Sequence, residues 1–186
     1  MHKCLILVFV CVLSLPLMAQ DRVEVFGGYE YLHIGDNNTN GININGQGFN
    51  GWNAALTGKA NRFVGVEGDF AGTYATVSGV NVHVYTYAGG PVVFMPIGRI
   101  RPFAHVLFGG TRLSESNAGV SVSWNGFTTM FGGGVDAKVN RLLSIRVAQV
   151  DWLYYHFGSK TIDGTSFPSF SGSNNVRIST GIVLRF

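Results

Sequence analysis

The feature that most constrains the fold of this chain is an alternation of apolar and polar residues that recurs in eight runs. In the clearest run, Val64, Val66 and Phe70 share one face, and Glu67 and Asp69 share the other. A period of two is that of a β-strand, whose successive side chains point to opposite sides of the sheet. We therefore predict an all-β chain with strands in residues 22–34, 49–60, 63–77, 80–95, 100–113, 127–139, 142–157 and 175–186.

The connections between these runs alternate in length. Short turns follow the second, fourth and sixth runs, whereas long segments rich in Gly, Asn and Ser cover residues 35–48, 114–126 and 158–174. The junction after the third run is shorter than this rhythm requires. Tight turns at one end and long loops at the other are typical of an up-and-down antiparallel meander, and eight strands can close into a barrel. The predicted fold is an eight-stranded antiparallel up-and-down transmembrane β-barrel, for the reasons that follow.

Two runs predict local irregularities. Pro91 has no backbone N–H to donate, so we expect a bulge or a break in pairing there. In that same strand Tyr85 is expected to face outward and Thr86 inward. Arg146 and Asp151 have opposite parity, so a bulge between them is needed to bring both charges to one face.

Composition decides which face of the strands points inward. Charged residues make up 12% of the chain, whereas an average globular chain carries about 25%. The few charges on the polar faces have both signs and are interspersed with Gly, Ala, Ser and Thr, which suits a crowded interior where acids and bases pair. We predict a charge network in the lumen formed by Glu67, Asp69, Arg101, Asp136, Lys138, Arg146 and Arg177, with His105 joining it.

The apolar faces carry aromatic side chains concentrated towards the strand ends. Such rings form girdles at membrane–water interfaces. In lipid every backbone polar group must be satisfied within the protein, which a closed barrel achieves. We expect the girdles to contain Tyr29, Tyr31, Trp52, Tyr74, Trp152, Tyr154, Phe157 and Phe186.

The first 19 residues predict a separate segment, a cleaved signal peptide. Lys3 precedes an apolar run over 4–13, a break at Pro16 and a small residue at Ala19, and the run is too short for a transmembrane helix. The barrel domain would then be 20–186.

Both cysteines lie within the leader, so no disulfide is expected. Removing Lys3 takes the net charge from +3 to +2 without a basic cluster, which argues against a nucleic-acid partner.

The final eight residues, STGIVLRF, carry the resemblance to a known family. Ser179, Gly181, Leu184 and Phe186 fit the polar, glycine, hydrophobic and aromatic positions of the terminal signal of outer-membrane barrels. With the leader and the meander, the chain resembles the small bacterial outer-membrane β-barrel proteins of the OmpA-like transmembrane-domain type. The resemblance implies a monomer in the bacterial outer membrane, with outer-membrane lipid and the assembly machinery as partners.

The sequence gives little sign of catalytic chemistry. The histidines that follow the predicted leader, His33, His83, His105 and His156, lie outside any metal-binding spacing, so no metal or cofactor is expected. We expect a structural or surface-interaction role, through adhesion or binding, and no enzymatic activity. Two alternatives stay open. One is a lipid A deacylase-like enzyme using His156 and Ser159, although these are three residues apart where such enzymes have two. The other is a small gated pore.

Overall fold

Twelve β-strands make up the secondary structure of the described residues, which are 23–35, 37–39, 42–44, 47–77, 80–117, 120–158, 160–162, 165–167 and 170–186 of this computed structural model. Eight of them form the barrel: β1 (Val23–Ile34), β4 (Gln47–Lys59), β5 (Val64–Val77), β6 (Val80–Phe94), β7 (Ile100–Asn117), β8 (Val120–Lys138), β9 (Leu143–Phe157) and β12 (Phe170–Arg185). The other four form two small hairpins: β2 (Asn37–Thr39) with β3 (Ile42–Ile44), and β10 (Lys160–Ile162) with β11 (Thr165–Phe167).

The eight long strands form a closed antiparallel barrel in the ring order β1-β12-β9-β8-β7-β6-β5-β4. The ring closes where β1 pairs with β12, with Val25 opposite Leu184 and Gly28 opposite Gly181. Each of the eight strands thereby has a hydrogen-bonded neighbour on both sides, and the predicted fold class is confirmed. Within the described residues no helix is long and apolar enough to cross a membrane. The predicted signal peptide lies outside the described residues and stays a prediction.

The side chains face as the composition predicts, with polar groups inside the barrel and apolar groups outside. On β5 the carboxylates of Glu67 and Asp69 are buried, whereas Val66 is 66% exposed and Phe70 54% exposed. On β6 Tyr85 faces outward and Thr86 inward, also as expected. This distribution is the reverse of a water-soluble barrel and leaves a largely apolar outer wall suited to lipid.

The predicted girdle aromatics lie on the outer wall wherever their side chains are described. Tyr29, Trp52 and Trp152 are about half exposed and lie towards the long-loop end of the barrel, whereas Phe186 is 66% exposed at the short-turn end. The side chain of Phe157 lies outside the described residues. More of the predicted girdle rings therefore lie towards the long-loop end of the barrel than at its short-turn end.

The strands at the long-loop end run further than the sequence analysis predicts. The segment 114–126 was expected to be a polar loop, but β7 continues to Asn117 and β8 begins at Val120. The segments 35–48 and 158–174 likewise contain the two small hairpins and the starts of β4 and β12. The prediction was wrong here because Gly, Asn and Ser dominate these segments and suggested loops, although Val120, Val122 and Trp124 continue the alternation in β8.

A bulge in β9 resolves the parity of Arg146 and Asp151. The ladders from β9 to both β8 and β12 shift register at Val147 and Ala148, which both face outward. Arg146 and Asp151 consequently both point into the lumen, where each is almost fully buried. The predicted bulge is confirmed.

Pro91 interrupts pairing on one side of β6. It lies opposite Val66 in the ladder with β5, whereas the ladder with β7 passes from Gly89 to Val92 without including Gly90 or Pro91. The register is the same on both sides of this gap, so the predicted irregularity is a break in pairing rather than a bulge.

Two of the short turns are closed by an asparagine side chain. The Oδ1 atom of Asn61 accepts hydrogen bonds from the backbone N–H groups of Phe63 and Val64, at 2.8 and 3.0 Å. Asn140 does the same for the N–H groups of Leu142 and Leu143, at 2.9 and 2.8 Å. Asparagine stabilises such turns by replacing a backbone acceptor, which fixes the short-turn end of the barrel.

Candidate functional site: the filled lumen

The lumen contains a polar region towards the short-turn end and an apolar region towards the long loops. Along β1, β7 and β9, a charged lumen residue is followed two positions later by a buried apolar one, as in His105 and Leu107 or Asp151 and Leu153. The apolar cluster comprises Leu32, Phe49, Val82, Val84, Ala88, Leu107, Met130, Leu153 and Tyr155. Two smaller apolar clusters lie among the charges of the polar region, one formed by Phe26, Ala55 and Val183 and the other by Val92, Phe94 and Phe103.

Arg177 is the centre of the polar region. Its guanidinium Nη1 lies 2.7 Å from Asp69 Oδ1, and Nη2 lies 2.7 Å from Asp151 Oδ2. Glu30 Oε2 lies 3.4 Å from Nη1. The side chain is completely buried, so these carboxylates replace the water that its charge would otherwise need. Three strands are thereby joined to β12.

His105 bridges two further acids. Its Nδ1 lies 2.7 Å from Glu67 Oε1, and its Nε2 lies 2.8 Å from Asp151 Oδ1. Thr57 also donates a hydrogen bond to Glu67 at 3.0 Å. His105 thus joins the lumen network as the sequence analysis expects, and it connects β7 to β5 and β9 through the interior rather than through the sheet.

Arg146 lies between two aromatic rings. Its guanidinium carbon is 4.3 Å from the ring centre of Phe26 and 4.2 Å from that of Phe103. Its Nε donates to Asp136 Oδ1 at 2.9 Å, and its Nη1 donates to Gln149 at 2.6 Å. Cation–π contacts strengthen when they are shielded from water, so this arginine is fixed by its ring faces as well as by its hydrogen bonds.

Glycine makes room for these rings. A Cβ atom added at Gly28 would lie 2.8 Å from the ring of Phe26, and one added at Gly134 would lie 2.9 Å from the ring of Phe103. Both glycines also lie close to the backbone of a neighbouring strand. Packing therefore requires glycine, which has no side chain, at these two positions.

Glu24 organises the short-turn end of the network. Arg101 donates to both of its carboxylate oxygens at 2.6 Å, and Lys59 donates to Oε1 at 2.8 Å. Arg101 also lies 2.7 Å from Asp136, and Arg185 Nε lies 3.2 Å from Glu24. The pairing of Arg101 with both carboxyl oxygens gives it the fork geometry that arginine makes best.

The structure brings together six of the seven residues predicted for the lumen network, namely Glu67, Asp69, Arg101, Asp136, Arg146 and Arg177. Lys138 is the exception. It has the inward parity, but it lies at the last position of β8, where the barrel opens, and it is exposed. It takes part in none of the described ion pairs, so the structure does not bring it together with the other six.

Several network members are absent from that predicted set. Glu24, Glu30, Lys59 and Arg185 have the inward parity, and this signal was visible in the sequence. Gln149 is uncharged and lies next to the bulge, so parity alone could not assign it. It accepts from Arg146 and donates to Asp151 at 2.7 Å, joining the two halves of the network.

The predicted assembly-signal residues lie at the end of β12. Ser179 is buried inside the barrel, Gly181 is half-buried, and Leu184 and Phe186 are exposed on the outer wall. The Phe186 N–H donates to the Val23 carbonyl at 2.9 Å and completes the seam between β1 and β12. Their recognition by assembly machinery stays a prediction.

The chemistry of the interior is that of mutually neutralised ions. Among the described residues no group of three or more His, Cys, Asp or Glu side chains could hold a metal ion. Of the pair considered for lipid chemistry, His156 is exposed at the long-loop end of β9, and Ser159 lies outside the described residues. The arrangement described here holds the strands together and fills the lumen.

Comparison with known proteins gives a consistent result. A family model described as "Outer membrane protein beta-barrel domain" matches residues 5–186. None of the curated proteins matched the chain.

Solved structures share the fold at low sequence identity. Ail, the attachment invasion locus protein of Yersinia pestis, is 16% identical with a TM-score of 0.59, and the match covers 90% of this chain and 100% of Ail. Neisserial surface protein A is 11% identical with a TM-score of 0.66, covering 88% of this chain and 97% of the other. The N-terminal β-barrel domain of Pseudomonas aeruginosa OprF is 9% identical with a TM-score of 0.57, covering 90% and 98%.

Proposed function

Because the chain belongs to the outer membrane protein beta-barrel domain family, we propose that it is a non-enzymatic monomer whose long-loop end binds partners at the bacterial surface. The observation that carries this proposal is the filled lumen. Arg177, His105 and Arg146 occupy the polar region with their acids, and Leu107 and Met130 belong to the apolar cluster beyond it. A barrel filled in this way serves best as a support for its loops.

The orientation follows from the connections. Barrels of this kind have short periplasmic turns and longer extracellular loops. The turns closed by Asn61 and Asn140 would then face the periplasm, and the hairpins β2–β3 and β10–β11 would face the outside. The protein would sit in outer-membrane lipid, inserted by the assembly machinery.

The long connections are almost uncharged. Segments 35–48, 114–126 and 158–174 contain three acids and one lysine, and are otherwise rich in Asn, Ser, Thr and Gly. Ail has been solved with sucrose octasulfate, a heparin analogue. Loops that carry so little positive charge favour a different class of partner, bound by hydrogen bonds and aromatic contacts, such as a neutral glycan or a protein surface.

The proposal is tested by adhesion. A Gram-negative host expressing the full chain is compared with the same host expressing a variant in which residues 160–167 are replaced by a Gly-Ser turn. We expect the full chain to increase binding to immobilised neutral glycans and matrix proteins, and the trimmed variant to lose most of that increase. Gel mobility before and after boiling, together with surface labelling, checks that the variant is still a folded surface barrel.

Other results would contradict the proposal. If the full chain adds no binding above the host's own level, surface interaction is wrong. If lipid A mass spectra from the two hosts differ by removal of an acyl chain, the protein is an enzyme. If planar bilayers show steady channels, it is a pore, which would require both the ion pairs around Arg177 and the apolar cluster around Leu107 to rearrange.

A further inference from the structure

A strongly basic pocket opens at the short-turn end of the barrel, opposite the surface considered above. Its volume is about 150 Å³. The cationic side chains that line it come from four strands and two turns: Lys59, Arg62, Arg99, Arg101, Lys138 and Arg185. The tight turn between β6 and β7 contributes part of the wall, and it contains Gly98 with a φ of 60°, a conformation that glycine adopts readily.

The positive charge in this pocket exceeds the negative charge that contacts it. Among the described ion pairs, Glu24 contacts three of the six cations and Asp136 contacts one, Arg101. Asp136 is also shared with Arg146 deeper in the lumen. No described ion pair includes Arg62, Arg99 or Lys138, all of which are exposed. Six cations thus face two carboxylates, one of them shared, and a site of this kind attracts an anion.

Part of the pocket is already fixed in position. Arg101 is held by Glu24 and Asp136, and its guanidinium lies 4.5 Å from the ring centre of Phe94. Its Nε is buried and has no hydrogen-bond partner among the described residues. A side chain that is already held in place loses little conformational entropy when a ligand binds beside it.

We propose that this pocket binds a phosphate-type oxyanion. Arginine recognises phosphate through forked hydrogen bonds, and lysine adds a mobile point charge. In the orientation proposed above, this end of the barrel would lie near the headgroups of the periplasmic leaflet, so the phosphate could belong to a lipid headgroup or to a soluble compound. The site lies at the opposite end from the proposed adhesive surface and does not depend on that function.

The test uses the full chain purified as a folded barrel. Inorganic phosphate is titrated calorimetrically into protein in zwitterionic detergent at low ionic strength. In parallel, native mass spectrometry counts phosphatidylglycerol retained from nanodiscs made with and without that lipid. The test variant is Arg99→Gln with Lys138→Gln, and the matched control is Arg112→Gln with Arg141→Gln. Both pairs remove two exposed charges, but the control residues do not line the pocket.

We expect saturable binding in at least one arm, and the responding arm identifies the source of the phosphate. The test variant should weaken that binding about tenfold or more, whereas the control should change it by less than about twofold. Raising the salt concentration should also weaken it. If the test pair does not fold, as judged by gel mobility, Lys138→Gln alone takes its place. The proposal is overturned if neither arm shows binding, or if the control pair loses as much as the test pair.

Discussion

At the scale of single residues, the interior is held by charges that each satisfy several partners. Arg177 joins Asp69, Asp151 and Glu30, and His105 joins Glu67 to Asp151. Removing one partner from such a set leaves the other charges buried without a counter-ion. The free energy of unfolding then falls by more than the ion pair itself had contributed. The residues with most partners should therefore be the least replaceable.

Replacing Arg177 with Met should strongly destabilise the barrel. Three carboxylates would lose their shared cation, and we expect the free energy of unfolding to fall by about 3–5 kcal/mol. Urea unfolding in lipid vesicles, followed by tryptophan fluorescence, measures this change. The matched control is Arg112→Met, on the exposed side of β7, with an expected change within about 0.5 kcal/mol. Equal effects of the two substitutions would contradict this account of Arg177.

The ring of Phe186 provides a second test at this scale. Phe186→Ala removes the exposed ring but keeps the backbone hydrogen bonds to Val23. If the ring is read as an assembly signal, surface levels of the variant should fall several-fold in cells, while the purified protein refolds normally in detergent. Leu142→Ala removes another exposed apolar side chain from the same end and should have little effect on surface levels. Normal surface levels of Phe186→Ala would refute the proposed signal.

At the scale of strands, parity determines the face but not the depth of a side chain. Alternation therefore placed Glu67, Asp69 and Arg101 inside, yet it also placed Lys138 inside, although that residue lies at the open end of β8. The ends of the strands were missed for another reason. Gly, Asn and Ser dominate the long connecting segments and suggested loops, although Val120, Val122 and Trp124 continue the alternation in β8.

The bulge in β9 gives a prediction about deletions. Val147 and Ala148 both face outward, so deleting Ala148 restores simple alternation and keeps Arg146 and Asp151 inside. Deleting Ala104, an exposed alanine in the regular strand β7, should instead reverse every side chain beyond it. We expect a folded barrel from the first deletion and none from the second.

Gel mobility and protease resistance of the refolded proteins measure the outcome. A barrel that tolerates neither deletion would show that the bulge itself is required, and one that tolerates both would show that facing is less constrained than we describe.

At the scale of the whole molecule, sequence established the class of fold because one pattern acts along the full chain. A closed barrel with its polar face inward accommodates all eight alternating runs and their few charges at once. The pairing of particular ions could not be predicted, because Arg177 and Asp69 are 108 residues apart and meet only through closure. Gln149 was missed for a different reason: it is uncharged, and the bulge beside it breaks the parity that would have placed it in the lumen between Arg146 and Asp151 on its own strand.

Closure of the ring should appear as a change in electrophoretic mobility. The folded protein should keep its compact shape in cold SDS because each of the eight strands is hydrogen-bonded to a neighbour on both sides. We expect a faster band before boiling and a slower one after it. The Ala104 deletion, which cannot close, should run as the slower band in both conditions. A wild-type protein with one mobility throughout would count against a closed barrel.

The pairing of residues across the lumen also has a mechanical consequence. Glu24 on β1 and Arg101 on β7 belong to strands on opposite sides of the ring, and Arg177 to Asp69 crosses it in another direction. A thin ring without internal contacts flattens easily under sideways load, whereas one braced across a diameter and along a second chord keeps its round section. Contacts between side chains across the lumen would therefore resist the lateral pressure of the surrounding lipid. The loops would then be attached to a barrel that keeps its cross-section when the membrane deforms.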